Sequence, residues 1–84
     1  MTPEEVKLYK AIDEILYSDW NPIGVDDLPR NEYQGYDYEI FALKNDGSNI
    51  ETIAQALHKL EINHMGLTGN IEHCRQVARK IFEL

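Results

Sequence analysis

Apolar residues recur at intervals of three and four wherever proline or glycine does not interrupt the chain, and no segment alternates apolar and polar residues as a half-buried strand would. That pattern confines an 84-residue chain to a set of short amphipathic helices around one modest core. The fold expected is all-α: a compact bundle of about four helices in a single domain over residues 1–84, with a long structured loop after the first helix.

The first helix is expected from Pro3 to about Tyr17. Thr2 suits the N-cap, Pro3 the first helical position, and Glu5 closes a T-x-x-E capping box. Leu8, Ala11, Ile12, Ile15 and Leu16 form its apolar stripe. Pro22, Gly24 and Pro29 then break the periodicity, so Asp19 to about Gln34 reads as one long connection. Loops of that length in small domains are commonly packed or functional. A second helix is expected from about Tyr36 to Asn45, or slightly earlier if Asn31 and Gln34 form a box, and Asn45-Asp46-Gly47 stops it. Ser48 and Glu51 predict a capping box for a third helix carrying Ile50, Ile53, Ala54, Leu57 and Leu60, ended by Gly66. Asn70 caps a fourth, with Ile71, Cys74, Val77, Ala78 and Ile81 inward, running to the C-terminus.

Charge narrows the partners. The net charge is -7, which disfavours nucleic acid and anionic membranes, since both require a basic footprint. A basic protein partner fits, because opposite fields speed encounter. No apolar run approaches the length of a bilayer span. The acidic start, Met1-Thr2-Pro3-Glu4-Glu5, does not resemble a signal peptide. With one cysteine, Cys74, no internal disulfide can form, which fits a reducing compartment and a cytoplasmic location.

The charge is also concentrated. Asp13, Glu14, Asp19, Asp26, Asp27, Glu32, Asp37 and Glu39 face only Arg30, so this stretch carries the whole net charge, and it also holds Trp20, Tyr17, Tyr33, Tyr36 and Tyr38. Aromatic rings interleaved with carboxylates suit recognition of a basic protein, and Trp20, Asp26, Asp27, Glu32, Tyr33 and Tyr36 are the candidate contact residues. The alternative is that the rings complete the core and the carboxylates solvate the surface.

Trp20-Asn21-Pro22-Ile23-Gly24-Val25, Asn31-Glu32-Tyr33-Gln34-Gly35-Tyr36, Glu39-Ile40, Ile53-Ala54 and Met65-Gly66-Leu67 form an ordered set. The set, over about Leu8 to Leu84, resembles a group of small uncharacterised bacterial all-helical proteins that carry W-D-P-I-G followed by D-E-Y-x-x-Y. The resemblance implies a bacterial, cytosolic helical protein. Asn21 and Asn31 stand where the group has Asp, and Asp37-Tyr38 lacks a proline common there, which would let the second helix begin earlier.

Catalytic and metal chemistry find little footing. His58, His64, His73 and Cys74 make no C-x-x-C or H-E-x-x-H spacing, although His64 and His73 flank one turn and are able to meet. Asp26 and Asp27 lack an EF-hand frame. Ser48 is accounted for by capping, Ser18 ends a helix, and the adjacent His73 and Cys74 point in different directions on a helix. Glu61 falls on the apolar stripe of the third helix, so it needs a partner, such as a loop amide or a tyrosine hydroxyl in the Trp20–Tyr38 segment. No cofactor is indicated. The function expected is a non-catalytic acidic interaction module, of the kind an immunity protein against a basic toxin would be. A self-associating helical protein is the alternative, ahead of a small enzyme or metal-binding protein.

Overall fold

A computed structural model describes residues 1–25 and 27–84; the candidate contact residue Asp26 lies outside the described residues. Four α-helices form the structure, with no strand among the described residues: α1 (Pro3–Ile15), α2 (Gln34–Asn45), α3 (Ile50–Lys59) and α4 (Ile71–Phe82). The all-α bundle expected from the periodicity is the fold, with a radius of gyration of 12.0 Å.

The start of α1 follows the sequence closely. Thr2 Oγ1 accepts from the Glu5 amide at 3.1 Å, and Glu5 Oε1 accepts from the Thr2 amide at 2.9 Å. Its end does not stop at Tyr17. The chain continues through a wider π-helical turn, Leu16–Trp20, closed by the Asn21 amide donating to the Leu16 carbonyl five residues back at 3.1 Å. A wider turn of this kind rotates the side chains that follow it. Here it places Leu16 and Trp20 both in the core. The end of α3 repeats the device: Leu60–His64 is a second π turn, closed by the Met65 amide on the Leu60 carbonyl at 3.1 Å.

Other boundaries also differ from expectation. Helix α2 takes the earlier of its two expected starts, at Gln34, but with Tyr33 as its N-cap and no side-chain cap bond in place of the Asn31–Gln34 box. Tyr33 is held there by burial rather than by capping chemistry. The cap of α3 is Asn49, not Ser48: Asn49 is extended and its Oδ1 accepts from the Thr52 amide at 2.8 Å. Ser48 belongs instead to the stop of α2. Its amide donates to the Leu43 carbonyl while Gly47, at φ +82°, donates to the Lys44 carbonyl, which is the Schellman arrangement. Glu51, freed from a capping role, accepts from Gln55 at 2.9 Å and pairs with Arg75 at 3.1 Å. Helix α4 is capped by Asn70 as expected, with Oδ1 accepting from the His73 amide, and ends at Phe82 rather than at the last residue.

The packing is uneven. Helices α3 and α4 make the most extensive contact, through Ile53, Ala54 and Leu57 against Cys74, Val77, Ala78 and Ile81. Helix α1 lies across α2 and α4, adding Ile12 and Leu16, and α2 contributes Ile40 and Phe41. At roughly 25 cal/mol per Å2 of apolar area removed from water, each of these larger side chains contributes about 1.5–3 kcal/mol. Among the described residues, no helix is long and apolar enough to cross a membrane.

Candidate functional site

The Trp20-Asn21-Pro22-Ile23-Gly24 segment forms the corner where α1 hands over to the loop. Trp20 is 1% exposed. Its indole Nε1–H donates to Glu61 Oε2 at 2.8 Å, and the other carboxylate oxygen, Oε1, accepts from the Asn70 amide at 2.9 Å. Glu61 thus joins the end of α1, the second π turn and the start of α4. Its buried carboxylate is compensated by two donors, the condition under which such a group is tolerated. One donor comes from the expected segment, but it is the indole rather than a loop amide or tyrosine hydroxyl.

Asn21 adopts φ +28°, a conformation an amide side chain tolerates better than most. Its Oδ1 accepts from the Tyr33 hydroxyl at 2.6 Å and from the Gly24 amide at 3.3 Å, and the Tyr33 oxygen accepts from the Ile23 amide at 3.2 Å. Tyr33 is 2% exposed and its ring tilts against Trp20, with centroids 5.5 Å apart. Trp20 and Tyr33, candidates for a contact surface, are therefore core residues that close both ends of the loop. Their apolar area is already spent on the fold, so they offer little to a partner. Tyr36 is half-buried, its ring meeting Trp20 edge-on at 6.1 Å. Asp27 and Glu32 are exposed.

The acidic stretch is less free than its composition implies. Arg30 turns back onto α1, pairing with Asp13 at 2.9 Å and Glu14 at 2.8 Å, with its guanidinium 4.7 Å above the Tyr17 ring. Tyr17 in turn donates to the Leu28 carbonyl at 2.7 Å, holding the middle of the loop. Asp19 pairs with Lys80 at 3.2 Å. Asp37, for which the sequence carried no special expectation, is 1% exposed, and no donor group reaches either carboxylate oxygen. Burial pushes its pKa up to about 8, helped by hydrogen bonding to and repulsion from the Asp13 carboxylate and opposed by Arg30. This environment favours the protonated acid, which is able to donate to Asp13. Among the described residues, Asp27, Glu32 and Glu39 remain exposed and outside ion-pair distance of any lysine or arginine.

Beside the corner, Ile23, Glu32, Tyr33, Tyr36, His64 and Met65 line a slot of about 220 Å3. Three of the six candidate residues, Glu32, Tyr33 and Tyr36, thus meet at one place, with Tyr33 as its floor. The lining also takes in His64, at the end of the second π turn, whose ring lies against Tyr36 with centroids 6.3 Å apart. A separate cleft of about 340 Å3 lies between Trp20 and the turn before α4. A broader groove of about 550 Å3 runs between α2 and α3 past Leu43 and Ala56.

The side chains best suited to catalysis are engaged elsewhere. His73 Nε2 faces two carbonyl oxygens, of Asp19 at 2.8 Å and Trp20 at 3.1 Å, so it carries the proton and pins α4 to the end of α1. His73 and His64 therefore go to different neighbours and do not meet. Cys74 is buried, and desolvation, reinforced by Glu61, pushes its thiol up to about 12. Such a thiol supplies almost no thiolate at neutral pH. Among the described residues, no three His, Cys, Asp or Glu side chains gather as a metal set. The chain matches no known family model, no curated protein and no solved structure.

Proposed function

We propose that this chain is a non-catalytic interaction module that binds a basic protein through the limb between α1 and α2, as an immunity protein binds a basic toxin. The observation that carries the reading is Asp27 and Glu32: both are exposed and without an ion-pair partner among the described residues, on a limb whose neighbouring carboxylates, Asp13, Glu14 and Asp19, are already engaged by Arg30 and Lys80. The limb is also pre-organised. Trp20 and Tyr33 are buried at its two ends and the Tyr17 hydroxyl holds its middle, so ordering it on binding costs little. A bacterial cytoplasmic setting, implied by the motif resemblance and by the single cysteine, belongs to the same proposal.

Capture from native lysate at low salt, followed by titration of the purified partner, tests the reading. The expected partner is basic, and its affinity falls with added salt. Replacing Asp27 with Asn and Glu32 with Gln together should weaken it by roughly fivefold or more, the scale of one or two exposed ion pairs. An affinity unchanged by both salt and the double substitution overturns the proposal.

A further inference from the structure

We propose that the slot beside Tyr36 receives an arginine side chain of that basic partner; the inference rests on the interaction reading above and specifies the chemistry at its centre. Its size is the first argument. At about 220 Å3 the slot falls below the roughly 300–1,000 Å3 of small-molecule pockets, which suits one inserted side chain. Its charge is the second. Glu32 is the acidic residue of the lining, it is exposed, and no lysine or arginine of the chain lies within ion-pair distance of it.

Its walls are the third. Tyr33 cannot swing away, because its hydroxyl is bonded to both Asn21 and Ile23. Tyr36 is bracketed by Trp20 at 6.1 Å and His64 at 6.3 Å. The slot is therefore preformed, with Tyr33 buried behind it, the half-buried Tyr36 and Met65 beside it and an exposed carboxylate, Glu32, in its lining. A guanidinium is planar, stacks on aromatic faces and meets a carboxylate with two parallel N–H donors. A lysine ammonium is a strongly hydrated point charge that makes less use of such walls. Ile23, 38% exposed and part of the lining, supplies apolar contact for the inserted side chain.

The test is a titration of the isotope-labelled protein with oligo-arginine and oligo-lysine peptides at low salt, followed by amide chemical shifts. Oligo-arginine should move the resonances of Ile23, Glu32, Tyr36, His64 and Met65, and bind several-fold more tightly than oligo-lysine. Glu32→Gln should weaken oligo-arginine about fivefold. Tyr36→Leu, checked for unchanged Trp20 emission, should remove most of the preference over lysine. Shifts confined to other surfaces, equal affinity for the two peptides, or indifference to Glu32→Gln overturns the slot. If a basic partner is nevertheless captured and is lost on neutralising Asp27 and Glu32, the interaction reading survives that failure. If no salt-sensitive partner is captured either, both fail together.

Discussion

Asp37 carries a free-energy consequence that its position in α2 does not suggest. It is buried with no donor group reaching either oxygen, and burial beside Asp13 pushes its folded pKa up to about 8. Between about pH 4 and pH 8 the folded chain holds a proton that the unfolded chain has released, so stability falls as pH rises through that window and levels off above it. Chemical denaturation at pH 5 and pH 9 should show a loss on the order of 2–4 kcal/mol over that range. Asp37→Asn keeps the shape and a donor toward Asp13 but cannot ionise. It should flatten the profile and leave the variant the more stable protein at pH 9, and an unchanged profile would show that Asp37 ionises freely. Nothing in the local sequence marked Asp37. It sits among charged and polar neighbours, and only the approach of α1 puts Asp13 against it. Glu61 was legible for the opposite reason: a carboxylate on an apolar stripe must find donors wherever the helix packs.

Boundaries of the helices divide into those set by local chemistry and those set by packing. The cap of α1, the cap of α4 and the stop of α2 are written in adjacent residues, and the sequence reading found them. The cap of α3 was misassigned by one residue because Ser48 and Asn49 are both good caps, and the Schellman turn uses the first. Asn49→Ala should therefore cost about 1 kcal/mol in thermal or chemical melts, while Ser48→Ala costs only a few tenths. The two π turns had no sequence signature, since they lie where buried side chains, Trp20 and Glu61, bond to each other across 41 residues. The turn before α4 is tightly fitted. Gly69 has φ +85°, and a Cβ there would lie 2.8 Å from His58 Nε2 and 3.2 Å from Ile62 Cγ1. Gly69→Ala should destabilise by about 1–3 kcal/mol. Gly35→Ala, in open space within α2, should stabilise by about 0.5–1 kcal/mol. Equal melting shifts for the two would refute this account of the turn.

For the molecule as a whole, apolar periodicity gave the correct fold class, whereas composition overstated the free acidity. Asp37 is held toward its protonated form, and three more carboxylates of the same stretch are paired within the chain. The candidate contact residues likewise split, because the aromatic rings large enough to anchor a partner are also those a small core most needs. Cys74 reports on that core. Its thiol should react with a disulfide reagent only as fast as the protein opens, so added denaturant should accelerate labelling in step with unfolding. Fast labelling of the native chain would contradict the packing of α4 against α3. The hydrogen bond from Trp20 to Glu61 joins residues 41 apart, and Trp20 is the chain's one tryptophan. Its fluorescence is thus an optical probe placed at the joint where three helices meet. Emission colour, quenching by added solutes and exchange of the indole proton all read the closure of that joint directly, without any label attached to the protein.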